Sequence, residues 1–337
     1  MGFSDNNFNL LRFVFASLVI FSHVPELQYG NRDHEILTQI FHTISFGELA
    51  VDGFFIVSGY LIVKSWTSGR SAYAFLAARV FRIYPAFFIA CIISAFLVGP
   101  LSSSPGYFHR VDYTDFLCGL LRLSLQGIPD VFYGSYNPVL NASLWTIPYE
   151  FNFYITVLLL GVLRVFEFRV LWLMMLISFL AGYFLYKLGI SISGSTYLRF
   201  GGLFFAGGFF YLYRDVIPWH RNYAILAFGA FIALLFFDAT AELGLPIFFG
   251  YSMIYFAKNS TYFLWFNRFP DVSYGIYLYA WPINKMIFWW WPSISTTFAV
   301  TLVFLLSCFM GNLSWRFVEA PAMLFKKKMM SRFLGGV

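Results

Sequence analysis

The chain has 337 residues, of which 60% are hydrophobic and 11% charged, with a mean hydropathy of +0.71. Soluble domains carry about 25% charged residues, so the composition excludes an ordinary water-borne globule and indicates an integral membrane protein. The net charge of +6 comes from Lys and Arg dispersed between apolar runs rather than gathered on one face, which argues against a nucleic-acid partner.

Apolar stretches of spanning length lie near residues 8–29, 44–65, 83–100, 142–164, 169–188, 195–213, 222–238, 243–258, 272–291 and 294–316. The expected fold is all-α: a polytopic membrane helical bundle of about ten transmembrane helices. It forms a single domain over 1–337, with its core at 6–321 and a basic tail at 322–337. With the N-terminus inside, sixteen of the 22 Lys and Arg fall on the cytoplasmic side and six outside, which places both termini in the cytoplasm of a cell's inner or plasma membrane. The largest loop, 101–141, is then external. The first apolar run begins without a basic n-region and is too long for a cleavable signal. Cys91, Cys118 and Cys308 have neither CxxC nor His spacing, so no metal site and no disulfide framework is expected.

The first span, FNLLRFVFASLVIFSHVPELQ, carries Arg12 and His23. Eleven positions on a helix are ~16.5 Å and three turns plus about 20°, so the two side chains leave nearly the same face. Ionisable groups in a span cost roughly 2.5–3.5 kcal/mol at the helix centre, so they usually have a task. A snorkelling Arg12 and a satisfied interface His23 would also fit. In the second span Asp52 needs a cation or a donor, and His23 is a plausible partner. Ser58 and Gly59 follow near mid-depth, where a small residue such as Gly59 permits close helix packing.

The third span opens with Arg79 and Arg82, one turn apart and followed by Tyr84 and Pro85. Two guanidiniums on one face form an anion fork suited to phosphate, which Arg12 could join; an ordinary cytoplasmic anchor has the same pattern. Loop 101–141 interleaves polar and aromatic residues, as a sugar-binding lip or an interfacial loop would. It leads to SLWTIPYE, where Ser143 and Glu150 are two turns apart on one expected face, with Trp145 and Pro148 between them. Glu150 precedes four apolar turns and should face the bundle interior. Gly201–Gly202 and Gly207–Gly208 read as tight packing. In SYGIYLYAWP the residues Ser273, Tyr274, Tyr277 and Tyr279 line a helix that Pro282 should interrupt. Near the C-terminus Arg316 and Glu319 are spaced to pair, and Pro321 should end the last helix.

Taken together, NNFNLLRFVFASLVIFSH, VDGFFIVSGYLI, RVFRIYP, SLWTIPYE, SYGIYLYAWP and WRFVEAP resemble, in order, the motifs of the integral-membrane acyltransferase-3 family, from about Asn6 to Pro321. The resemblance implies a ten-span bundle of the stand-alone form, transferring acyl groups, usually acetyl from acetyl-CoA, to hydroxyls of extracytoplasmic or lipid-linked glycans. The family's essential Arg and His fall on Arg12 and His23, its basic pair on Arg79 and Arg82, and its motif carboxylate on Glu150. Many relatives have His where this chain has Ala280.

On this reading Arg79, Arg82, Arg12 and Tyr84 hold acetyl-CoA, and His23 is the general base, oriented by Asp52 or Glu150. Trp145, Ser143, Tyr274 and Ser58 are the candidate contacts to a saccharide acceptor, and a Ser, Tyr or backbone donor stabilises the oxyanion. Direct transfer and an acyl-His intermediate both stay open, and oligomeric state leaves no trace in the sequence. The competing class is a transporter or flippase of a lipid-linked sugar, since multi-span bundles with buried charge often move solutes. A catalytically silent sensor would gain ground if Ala280 proved disabling.

Overall fold

The computed structural model describes residues 6–69 and 71–334. Arg70, counted above among the cytoplasmic charges, lies outside the described residues. Among the described residues every regular element is helical. The long helices are α1 (Phe8–Tyr29), α2 (Phe46–Thr67), α3 (Ala72–Ile93), α4 (Ile147–Val162), α5 (Arg169–Lys187), α6 (Ser195–Leu212) and α7 (Arg221–Leu234). They are followed by α8 (Asp238–Gly244), α9 (Gly250–Asn259), α10 (Ser273–Trp290), α11 (Thr296–Ser314) and α12 (Ala320–Leu334). Each apolar stretch named above carries one of these helices. Five helical runs, Phe8–Tyr29, Phe46–Thr67, Ala72–Leu101, Arg169–Lys187 and Thr296–Ser331, are long and apolar enough to cross a membrane by length and composition.

Wide π turns interrupt two of these runs, at Ser94–Val98 and Trp315–Glu319, and a third, Leu245–Phe249, joins α8 to α9. The turn at Trp315–Glu319 corrects an expectation about the C-terminus. Pro321 does not end the helix; it lies two residues past the π turn, and the chain stays helical through Leu334. Pro282 likewise lies inside an unbroken α10. Its missing N–H frees the carbonyl of Leu278, four residues back, and Asn141 Nδ2 donates to that oxygen at 2.9 Å.

The chain forms two compact units, each discontinuous in sequence. The first takes the described residues through Phe15 with Leu37–Leu76 and Tyr149–Phe269; the second takes Ala16–Ile36, Ala77–Pro148 and everything described from Pro270 onward. In the first unit α2 lies against α6, and α6 against α5. Lipid is as apolar as a helix side chain, so helices associate through close fit rather than water exclusion. Glycine supplies that fit. A Cβ on Gly59 would run into the Phe204 carbonyl, and one on Gly207 into the carbonyl of Ile56. Gly201 and Gly208 seat Phe179 and Trp172 in the same way, and Trp172 Nε1 donates to the Phe205 carbonyl at 2.8 Å. At the entry to α2, Ser45 and Glu48 form a reciprocal capping box that satisfies the first amides of the helix.

In the second unit α10 packs on α11 where Gly275 faces Gly311. The segment after the π turn of α3 folds back as short helices Tyr107–Arg110 and Tyr113–Leu121. Val98, Tyr107, Val111, Val131, Phe132, Leu140 and Met286 make its core. Tyr107 donates to the Ala95 carbonyl at 2.7 Å, and burial pushes its phenol up to about 12, so it stays a neutral donor.

Candidate active site

The stretch expected to hold the chemistry is one continuous helix, α1, which carries Arg12 in its first turns and His23 in its later ones. His23 is held in the second unit. Its Nδ1 is 2.9 Å from Glu26 Oε2, and the two side chains are 22% and 20% exposed. A carboxylate only accepts, so in the neutral imidazole the Nδ1 proton faces Glu26 and the lone pair is left on Nε2. Arg32 Nε lies 3.4 Å from the same Glu26 oxygen. Trp281 and the imidazole pack edge to face, with ring centroids 5.0 Å apart at 78°. Trp281 is itself fixed by a 3.1 Å bond from Nε1 to the Val139 carbonyl.

Glu26 was not among the candidates read from the sequence. The spacing that reveals it is ordinary: three residues after His23 on the same helix, across Pro25. The expected partner, Asp52, is engaged elsewhere. It is fully buried in the first unit, where its Oδ2 accepts from Arg199 Nη2 at 2.8 Å. A buried carboxylate takes the nearest cation, and a guanidinium is always charged whereas an imidazole is not. Tyr183 donates to Glu242, and Lys187 lies 3.6 Å from Glu242, so this part of the unit holds several matched charges.

Glu150, near the start of α4, faces the interior of the first unit as expected. Ser58 Oγ donates to its Oε1 at 2.8 Å, Tyr154 donates to the same oxygen, and the two hydroxyls are 3.1 Å apart. The expected shared face of Ser143 and Glu150 is not formed. Ala142–Thr146 is a 3-10 turn with its own pitch, and α4 begins only at Ile147. Ser143 is buried, while Trp145 is exposed.

The expected anion fork also differs. Arg82 Nη1 donates to Glu319 Oε2 at 2.6 Å and Nη2 to Asp271 Oδ2 at 2.7 Å, between the rings of Tyr274 and Trp315. Both terminal nitrogens of Arg82 are thus engaged by carboxylates, an arrangement that ties these segments together. Glu319, expected to pair with Arg316, takes Arg82 and the Ser314 hydroxyl. The hydroxyls of Tyr84 and Tyr274 donate to the carbonyls of Leu121 and Ile83. Arg79 and Arg12 are both partly buried.

The chain matches the family model described as an acyltransferase domain over residues 5–313. It is similar to an O-acetyl transferase of Shigella phage Sf6, 28% identical over 94% of this chain and 95% of the relative. Nodulation protein 10 of Rhizobium leguminosarum bv. viciae is 32% identical over 45% of this chain and 42% of its own length. Acyltransferase MdmB of Streptomyces mycarofaciens is 27% identical over 42% of this chain and 35% of its own. No solved structure matches the chain. With apolar helices of spanning length and a family match across nearly its whole length, the chain belongs to the acyltransferase-3 family and is a membrane enzyme that transfers an acyl group to oxygen.

Proposed function

We propose that the enzyme moves an acetyl group from cytosolic acetyl-CoA to a hydroxyl of an extracytoplasmic or lipid-linked saccharide, with His23 as general base. The observation that supports this reading is the His23–Glu26 pair, which occupies Nδ1 and leaves Nε2 as the nitrogen for the acceptor proton. In the reaction the acceptor O–H proton passes to Nε2 while its oxygen bonds to the thioester carbonyl carbon. The tetrahedral adduct then breaks its C–S bond, and the leaving thiolate takes the proton from the imidazolium to give free CoA. Glu26 stabilises the imidazolium at the midpoint without itself taking the proton.

Arg12 and Arg79 are each suited to a phosphate of the donor, guanidinium being the group that binds phosphate bidentately. Ser143 is assigned to the acceptor, because its buried hydroxyl has no partner among the described residues. About ten crossings with both termini in the cytoplasm of an inner or plasma membrane follow from the distribution of Lys and Arg. They place the donor and the acceptor on opposite sides.

The test is purified protein in lipid vesicles with radiolabelled acetyl-CoA and lipid-linked saccharide extracted from the host cell. The expected result is alkali-labile label in the saccharide, lost with His23→Ala. Equal label from the variant removes His23 as the base, and no label from the wild-type protein removes the acetyl-transfer reading.

A further inference from the structure

Along α10 the structure satisfies one polar side chain after another. Tyr277 OH and Thr146 Oγ1 are 2.6 Å apart, Trp281 reaches the Val139 carbonyl, and Lys285 Nζ donates to Ser135 Oγ and to the Tyr136 carbonyl at 2.7 Å each. The chain from Ser135 to Thr146 therefore runs beside this helix and caps what it meets. Asn284 is the exception. It is 1% exposed, yet neither its Nδ2 nor its Oδ1 has a hydrogen-bond partner among the described residues. Folded interiors rarely keep an amide in that state, because its lost hydration is not replaced.

Its position gives the reason. Asn284 is three residues past Trp281 and seven past Tyr277, on one face of α10, and Trp281 is the residue packed against the His23 ring. On the flanking segment Asn141 Oδ1 and Ser143 Oγ are also buried and unpartnered. The amide thus lies one turn beyond Trp281 on the face of α10 that meets His23, and one turn from Ala280.

The chemistry of an amide narrows the ligand. It presents an acceptor and a donor side by side. A thioester carbonyl only accepts and would leave Oδ1 bare. Two adjacent sugar hydroxyls can give one hydrogen bond and take one, matching both atoms. Resting on the reading of His23 as the base, we propose that Asn284 is the acceptor-positioning residue, binding a vicinal diol of a pyranoside so that a ring hydroxyl is held at the imidazole.

The experiment measures acetyl transfer from acetyl-CoA, in membranes, to methyl α-glucopyranoside, methyl α-galactopyranoside and methyl α-rhamnopyranoside, and to their monodeoxy counterparts. For the best glycoside the wild-type protein should prefer the diol over the deoxy compound by at least about tenfold in kcat/KM, as a site built for a hydroxyl does. In Asn284→Leu that ratio should fall to about one. The ratio is taken within one preparation, so a smaller folded fraction does not change it. A ratio that survives the substitution overturns the proposal, as does transfer by the wild-type protein to none of the three glycosides. His23-dependent hydrolysis of acetyl-CoA, measured in the same membranes, decides the underlying reading separately.

Discussion

Two charged groups in the second unit are built from the same kinds of residue and have opposite characters. Around Arg82 each carboxylate has its donors: Asp271 and Glu319 take its two terminal nitrogens, Ser273 Oγ donates to Asp271 Oδ1 at 2.5 Å, and Ser314 donates to Glu319. Around His23 the matching stops halfway. Glu26 ties Nδ1, Trp281 walls the ring, and on the same face of α10 the amide of Asn284 is bare. A closed cluster holds helices together; a half-open one has capacity left for a reacting molecule. Partner inventory, rather than the presence of charge in a span, separates clamp from site.

His23→Ala should break the open cluster most severely, lowering acetyl transfer by about 10²–10⁴-fold, the usual share of a general base. Its melting temperature in detergent should stay near that of the wild type, because no buried charge loses its counterion. Glu26→Gln should cost roughly 10²-fold, since an amide can donate to Nδ1 and select the wrong tautomer; the check is kcat under saturating acetyl-CoA.

The closed cluster should respond in stability instead. Arg82→Met leaves Asp271 and Glu319 facing one another and should cost about 3–5 kcal/mol, read as a lower melting temperature. Replacing Asp271 and Glu319 by Leu in the same protein should recover most of that loss, and with it the activity. Recovery of stability without activity would return Arg82 to the donor site. The smallest effect is expected from Asn141→Leu, which uncovers the Leu278 carbonyl freed by Pro282 and should lower stability by roughly 1–3 kcal/mol.

Much of this was visible in the sequence where the determinant is local. Helix positions follow from apolar run length, and Gly59 and the Gly207–Gly208 pair announce close packing because a small residue in a span has few other uses. His23 stands out for the cost of its position. Partners were not visible, because they come from far along the chain: Arg82 meets Asp271 and Glu319 across 189 and 237 residues, and Asp52 meets Arg199 across 147. Pro282 misled for a related reason. A proline removes one N–H, but whether the helix breaks depends on what covers the freed carbonyl, and Asn141 is supplied from another segment. Glu26 was legible by spacing alone, three residues after His23 on the same helix.

The most direct test of the central claim is a single-turnover measurement of acetyl transfer from bound acetyl-CoA to saccharide in vesicles, comparing wild-type, Glu26→Gln and His23→Ala proteins at equal loading. The account predicts a graded fall, wild type above Glu26→Gln and Glu26→Gln above His23→Ala. Equal rates in all three would contradict it.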